Sequence, residues 1–165
     1  MYRILFICTG NICRTPMAES LLRAKVLQEG LEALISVDSA GTWANEGLPP
    51  TELSVTVIQE AGLEPPVHRS KHVDSHLMQR ADLVLCMGEH HKRDLQAIFP
   101  QHQDKIFTLR EFNRHHPTSR ASIEDPFGRN IDQYRKVFQI IRDEVERIWP
   151  EIKRRARAKA ALSDQ

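Results

Sequence analysis

The stretch Cys8-Thr9-Gly10-Asn11-Ile12-Cys13-Arg14-Thr15 constrains this chain more than any other, because it lies between an apolar run, Ile4 to Ile7, and a helix start at Pro16. A buried strand that ends in a tight turn and passes at once into a helix brings several backbone N–H groups to one point. Convergent N–H groups at a helix N-terminus bind anions, and the unfilled helix donors together with a guanidinium stabilise a thiolate. Cys8 is therefore a candidate nucleophile, and Arg14 a candidate clamp for a phosphoryl group. The bland alternative is a buried cysteine beside a surface arginine. The preceding strand, the Gly10-Asn11 turn and the Thr15-Pro16 helix start all favour the phosphate cradle.

The remaining pattern alternates strands with helices. Tyr2 to Ile7 reads as a central buried strand, and Thr15 as the N-cap of a helix that carries Met17, Leu21, Leu22 and Val26 on one side as far as Gly30. Leu34 to Val37 is a second strand, ending in Asp38-Ser39-Ala40-Gly41-Thr42. A helix capped by Thr51 runs to Ala61-Gly62, and Asp82 to Cys86 forms a third strand. A helix over His90 to Phe99 and a strand at Ile106 to Leu109 follow. A long polar loop, Arg110 to Asn130, is of the length usually found at functional or mobile segments. Ile131 to Trp149 is a strongly amphipathic helix, and beyond Pro150 the basic residues from Lys153 onward read as a solvated, fraying helix end or tail, with binding of an acidic partner as the alternative. The expected architecture is one α/β domain, residues 1–152, a three-layer sandwich with a four-stranded parallel sheet and helices on both faces, followed by the basic segment 153–165.

Composition narrows the functional class. A formal net charge of +1 gives no general attraction to nucleic acid or to an acidic membrane. Three cysteines do not suggest a disulfide framework, and Cys8 with Cys13 lacks the further ligand pairs of a structural zinc site. About six apolar residues before Cys8 are too few for a signal peptide or a membrane span. A reducing, cytoplasmic setting is expected, with no nucleic-acid or membrane partner.

In its loop and in the order of its later motifs the chain resembles the low-molecular-weight protein tyrosine phosphatases, whose nucleophile loop is Cys-x5-Arg-Ser/Thr near the N-terminus. The shared features are Cys8 to Thr15, Asp38-Ser39-Ala40-Gly41-Thr42, Ala81-Asp82-Leu83-Val84-Leu85 and Asp125-Pro126. The resemblance implies a phosphorylated protein or peptide substrate, no metal or other cofactor, and a phosphocysteine formed on Cys8. Arg14 and the amides of Thr9, Gly10, Asn11, Ile12 and Cys13 would then hold the phosphoryl oxygens, and Asp125 would act as general acid. It also implies a supporting network of Asn11, Thr15, Ser39 and His68. By residue chemistry, Cys13 could form a reversible disulfide with Cys8 or simply fill apolar space, and Trp43 and Phe127 could wall a cleft for a flat side chain or pack in the core.

Two features bear on the substrate. Asp125-Pro126-Phe127-Gly128 resembles the wording of the related protein arginine phosphatases. Those enzymes carry a loop threonine where this chain has Ile12, and a β-branched apolar side chain suits an aromatic ring better than a guanidinium. Phosphotyrosine is the expected substrate and phosphoarginine the alternative. An arsenate reductase on the same fold would need further redox cysteines, and only Cys86 follows, inside a predicted strand. A non-catalytic phosphate-binding module is disfavoured by the intact Cys8, Arg14 and Asp125.

Overall fold

Strand β1 (Tyr2–Cys8) is buried on both faces: Ile4, Phe6 and Cys8 join one apolar cluster, and Leu5 and Ile7 join the other. That is why its sequence is continuously apolar rather than alternating. In the computed structural model, which describes residues 1–165, α1 (Arg14–Gln28) follows β1 and returns the chain to β2 (Ile35–Gly41). Then come α2 (Glu52–Glu60), α3 (Ser75–Arg80), β3 (Leu83–Cys86), α4 (Glu89–Ile98), β4 (Ile106–Thr108) and α5 (Ile131–Ser163). All pairings are parallel, in the order β2-β1-β3-β4. Residues from α1, α2 and α5 share a core with Ile4, Phe6, Leu83 and Leu85, while Met78 of α3 and Leu95 of α4 pack with Leu5, Ile7, Val84 and Cys86. This is the three-layer α/β sandwich expected. No helix is long and apolar enough to cross a membrane.

Several elements differ from expectation. β2 extends through Asp38–Gly41, so Ser39 sits on a strand rather than in the loop after it. The short helix α3 was not visible as apolar periodicity, because its six residues bury only Met78; its start is marked by Asp74, whose carboxylate accepts from the Leu77 N–H at 2.8 Å. Pro100–Lys105 forms a 3-10 turn before β4. The loop after β4 is pinned rather than free. Phe112, Ala121 and Ile123 are buried, Arg147 donates to the Phe112 carbonyl at 2.6 Å, and the Ile123 N–H donates to Met87 O at 2.7 Å.

At the C-terminus the helix is longer than its apolar pattern alone indicates: α5 runs past Trp149, through Pro150, to Ser163. A proline inside a helix removes one N–H, leaves the Glu146 carbonyl without its helical donor, and costs about 3 kcal/mol. Burial of Ile152 and Ala156 in the larger core offsets that cost. Polar contacts then fix the last turns: the Arg155 guanidinium lies 4.8 Å from the Phe112 ring centroid, and Lys159 Nζ lies 2.8 Å from Asp82 Oδ2. Lys153 and Arg154 pair with Glu29 and Glu151, so much of the basic segment is neutralised within the chain. Ile152→Ala should therefore cost about 2–5 kcal/mol in urea unfolding. A cost below about 0.5 kcal/mol, usual for exposed positions, would mean that this part of the helix does not pack.

Candidate active site

β1 delivers Cys8 to the C-terminal edge of the sheet, between β2 and β3, where successive crossovers diverge and ligands of such sheets bind. The chain turns at Asn11, whose φ of 60° is left-handed, and α1 begins at Arg14. The N-cap is Cys13, with no side-chain cap. Thr15 is therefore inside the first turn, and its hydroxyl is directed at the Cys8 sulfur instead of capping the helix. Gly41 is needed beside this loop for space, because a Cβ there would meet Thr9 O at 2.3 Å.

A directed set of hydrogen bonds holds the turn. The Lys71 N–H donates to Asn11 Oδ1 at 3.0 Å, which fixes the amide orientation. Asn11 Nδ2 then donates to Thr15 Oγ1 and to Ser39 Oγ, each at 2.8 Å. Since Thr15 Oγ1 accepts from Asn11, its own hydrogen is free for Cys8 Sγ, 3.4 Å away. The Asn11 N–H donates to the same sulfur at 3.2 Å. Ser39 donates onward to Glu19, and His68 bridges the Asn11 carbonyl through Nε2 and Glu19 Oε1 through Nδ1, the latter at 3.3 Å. Both ring nitrogens of His68 thus face acceptors. A left-handed non-glycine residue costs roughly 1–2 kcal/mol, and three amide hydrogen bonds at roughly 1 kcal/mol each outweigh it.

Arg14 is buried at 3 % exposure. Its Nη1 donates to the Ile123 carbonyl at 2.8 Å, its Nη2 lies 3.6 Å from Asp125 Oδ2, and its Nε has no partner. One corner of the guanidinium is thus anchored to the late loop while the Nε/Nη2 edge remains for an anion, the geometry of a forked contact to two oxygens. Asp125 is half exposed and its Oδ1 accepts from the Phe127 N–H at 3.1 Å, a local turn that Asp-Pro sequences favour.

Cys8, Thr9, Gly10, Ile12, Cys13, Arg14, Asp125 and Phe127 line one cleft of about 160 Å³. Ile12 leans across the loop, its Cγ1 3.5 Å from where a Cβ on Gly10 would lie. A larger cleft of about 250 Å³, along Arg3, Arg23 and Arg80, lies toward the N-terminal end of β1 and holds no nucleophile. Trp43 does not line the cleft. Its N–H donates to Thr9 O at 3.0 Å, which fixes the backbone against the loop and leaves the side chain 83 % exposed, so it is neither a wall of this cleft nor core. Phe127, 63 % exposed, stands at the mouth.

Cys13 lies with Tyr134, Sγ to Oη 3.5 Å, and burial pushes its thiol up. Cys86, fully buried in β3, is pushed up further for the same reason. All three cysteines are free thiols. Two residues of this region were not anticipated. Glu19 is a buried carboxylate among the apolar residues of α1, four positions after Thr15 and on the same face; that misplaced charge was its only signal. His91, fully buried in the first turn of α4, meets Thr9 Oγ1 through Nε2 at 2.8 Å, and burial, Arg14 and His90 hold it uncharged, pushed down to about 3.

Relatives share both the sequence and the shape. Residues 3–158 match the low molecular weight phosphotyrosine protein phosphatase family. A protein-arginine-phosphatase from Bacillus subtilis is 38% identical over 145 residues, covering 88% of this chain and 90% of its own. The structure of an arginine phosphatase from Geobacillus stearothermophilus superposes with a TM-score of 0.84 at 35% identity, over 94% of this chain and 95% of its own. That of a low molecular weight protein tyrosine phosphatase from T. tengcongensis gives 0.83 at 36% identity, over 92% and 99%. With the family matched over nearly the whole chain and the fold matched with it, this protein belongs to the low molecular weight phosphotyrosine protein phosphatase family.

Proposed function

We propose that the protein hydrolyses phosphotyrosine in protein or peptide substrates through a phosphocysteine on Cys8, in the cytoplasm. The observation that carries this reading is the single cleft shared by a thiol, a half-anchored guanidinium and a carboxyl group at Cys8, Arg14 and Asp125. The Cys8 thiolate attacks phosphorus as the P–O bond to the tyrosyl oxygen breaks, and Asp125 gives that oxygen its proton. Water then attacks the phosphocysteine, Asp125 takes the proton, and Cys8 leaves as thiolate while inorganic phosphate forms. The Nε/Nη2 edge of Arg14 and the loop amides carry the equatorial oxygens throughout. Thr15, with its hydrogen free for the sulfur, stabilises Cys8 as leaving group.

The substrate choice rests on Ile12, an apolar side chain in the cleft wall beside Gly10. With Phe127 at the mouth it offers two apolar surfaces to an aromatic ring, and neither of these side chains can accept a hydrogen bond from a guanidinium. A second reading, phosphoarginine, is favoured by one observation: the resemblance to arginine phosphatases in sequence, at 38% identity, and around Phe127.

Asp125→Asn should slow hydrolysis of aryl phosphates by about 10²–10⁴-fold, the usual worth of a general acid, and an unchanged rate would remove Asp125 from that role. On matched peptides, kcat/KM should favour phosphotyrosine over phosphoarginine, and Ile12→Thr should narrow the difference. A wild-type preference for phosphoarginine would overturn the substrate reading.

A further inference from the structure

Thr9 and His91 form a pair to which the reaction above gives no task. Thr9 lines the cleft beside Cys8 and Arg14, and its Oγ1 has no hydrogen-bond partner other than His91 Nε2, at 2.8 Å. His91 is fully buried, and its Nδ1 has no partner at all. A neutral imidazole has one N–H and one lone pair to distribute. With the proton on Nδ1, the site would bury an unpaired donor. With the proton on Nε2, only a lone pair is left unpaired, which folded proteins tolerate more readily. The Nε2–H therefore donates to Thr9 Oγ1, and the Thr9 hydroxyl hydrogen must point elsewhere.

We infer that His91 is a positioning residue that turns the Thr9 hydroxyl into a donor facing the cleft, where it binds an oxygen of the phosphomonoester held over Cys8. This rests on the phosphatase reading for the ligand but not for the tautomer. Burial first, then the neighbouring Arg14 and His90, keep the ring neutral, so the arrangement persists across the physiological pH range. The hydrogen bond serves ground state and transition state alike, so its loss falls on KM rather than kcat.

Three measurements test it. In ¹⁵N-histidine-labelled wild-type protein, long-range ¹H–¹⁵N correlation should find His91 protonated at Nε2 alone and not titrating between about pH 5 and 8. Thr9→Val should raise KM for para-nitrophenyl phosphate and the inhibition constant of inorganic phosphate together, by about 3–10-fold, the worth of one hydrogen bond, with kcat changed less than about twofold. His91→Gln should produce a comparable rise alone and none in the Thr9→Val background. An Nδ1–H or imidazolium signal, or Thr9→Val with both constants unchanged, would overturn the inference. Equal effects of His91→Gln in both backgrounds would do the same; should that variant not fold, the first two measurements decide. If the wild type hydrolyses no phosphomonoester, the proposed function fails, while the phosphate affinity of Thr9→Val still reads this pair.

Discussion

The amide of Asn11 is the interaction on which the rest of the site depends. Its oxygen is bound by the Lys71 N–H and its two N–H groups by Thr15 and Ser39, while His68 holds the backbone carbonyl of the same residue. Those partners come from α1, β2 and the segment between α2 and α3, so one side chain joins three parts of the fold to the end of β1. The left-handed backbone at Asn11 persists because these bonds outweigh its cost. With that geometry fixed, the Asn11 N–H meets the Cys8 sulfur, and the next residues enter the helix with Arg14 already inward. An anion loop held this way needs little reorganisation when a phosphoryl group arrives, which is the condition for electrostatic stabilisation of the transition state.

The sheet order explains why the loop lies where other elements can reach it. β1 is central, so the chain leaves it toward β2 on one side and later returns to β3 on the other. Residues from both sides reach the loop: Ser39 of β2 meets Asn11, His91 at the start of α4 meets Thr9, and Asp125 from the connection after β4 shares the cleft with Cys8. That last connection is long but not loose. Arg114 and Arg147 bind the buried carboxylate Glu144 on α5, and Arg14 holds the Ile123 carbonyl two residues before Asp125. The guanidinium whose Nε/Nη2 edge opens into the cleft thus also fixes the segment that carries the Asp125 carboxyl group.

What could be read from sequence follows the range of the interactions involved. β1, the turn and the start of α1 were legible because their signals are local: an apolar run, Gly10-Asn11, and Pro16. Cys8 and Arg14 were legible from the chemistry of the loop and Asp125 from the resemblance, and the structure gathers them into one cleft. The packing of the last turns of α5 was less legible, because the local cost of Pro150 is plain whereas the compensating burial of Ile152 involves a core assembled from distant elements. Glu19 was passed over because a charge on a helix usually faces water; only the approach of Ser39 and His68 makes it internal. Trp43 failed differently, since its backbone bond to Thr9 brings it beside the loop but leaves its side chain outside the cleft.

The Asn11 side chain, and not merely a permissive backbone at that position, organises the loop. Asn11→Gly tests it most directly, because glycine adopts the left-handed geometry freely while removing every side-chain bond. In this variant kcat/KM for an aryl phosphate should fall by at least about tenfold, as expected when coupled buried hydrogen bonds are lost, with the protein still folded by circular dichroism. Full activity in Asn11→Gly would contradict it.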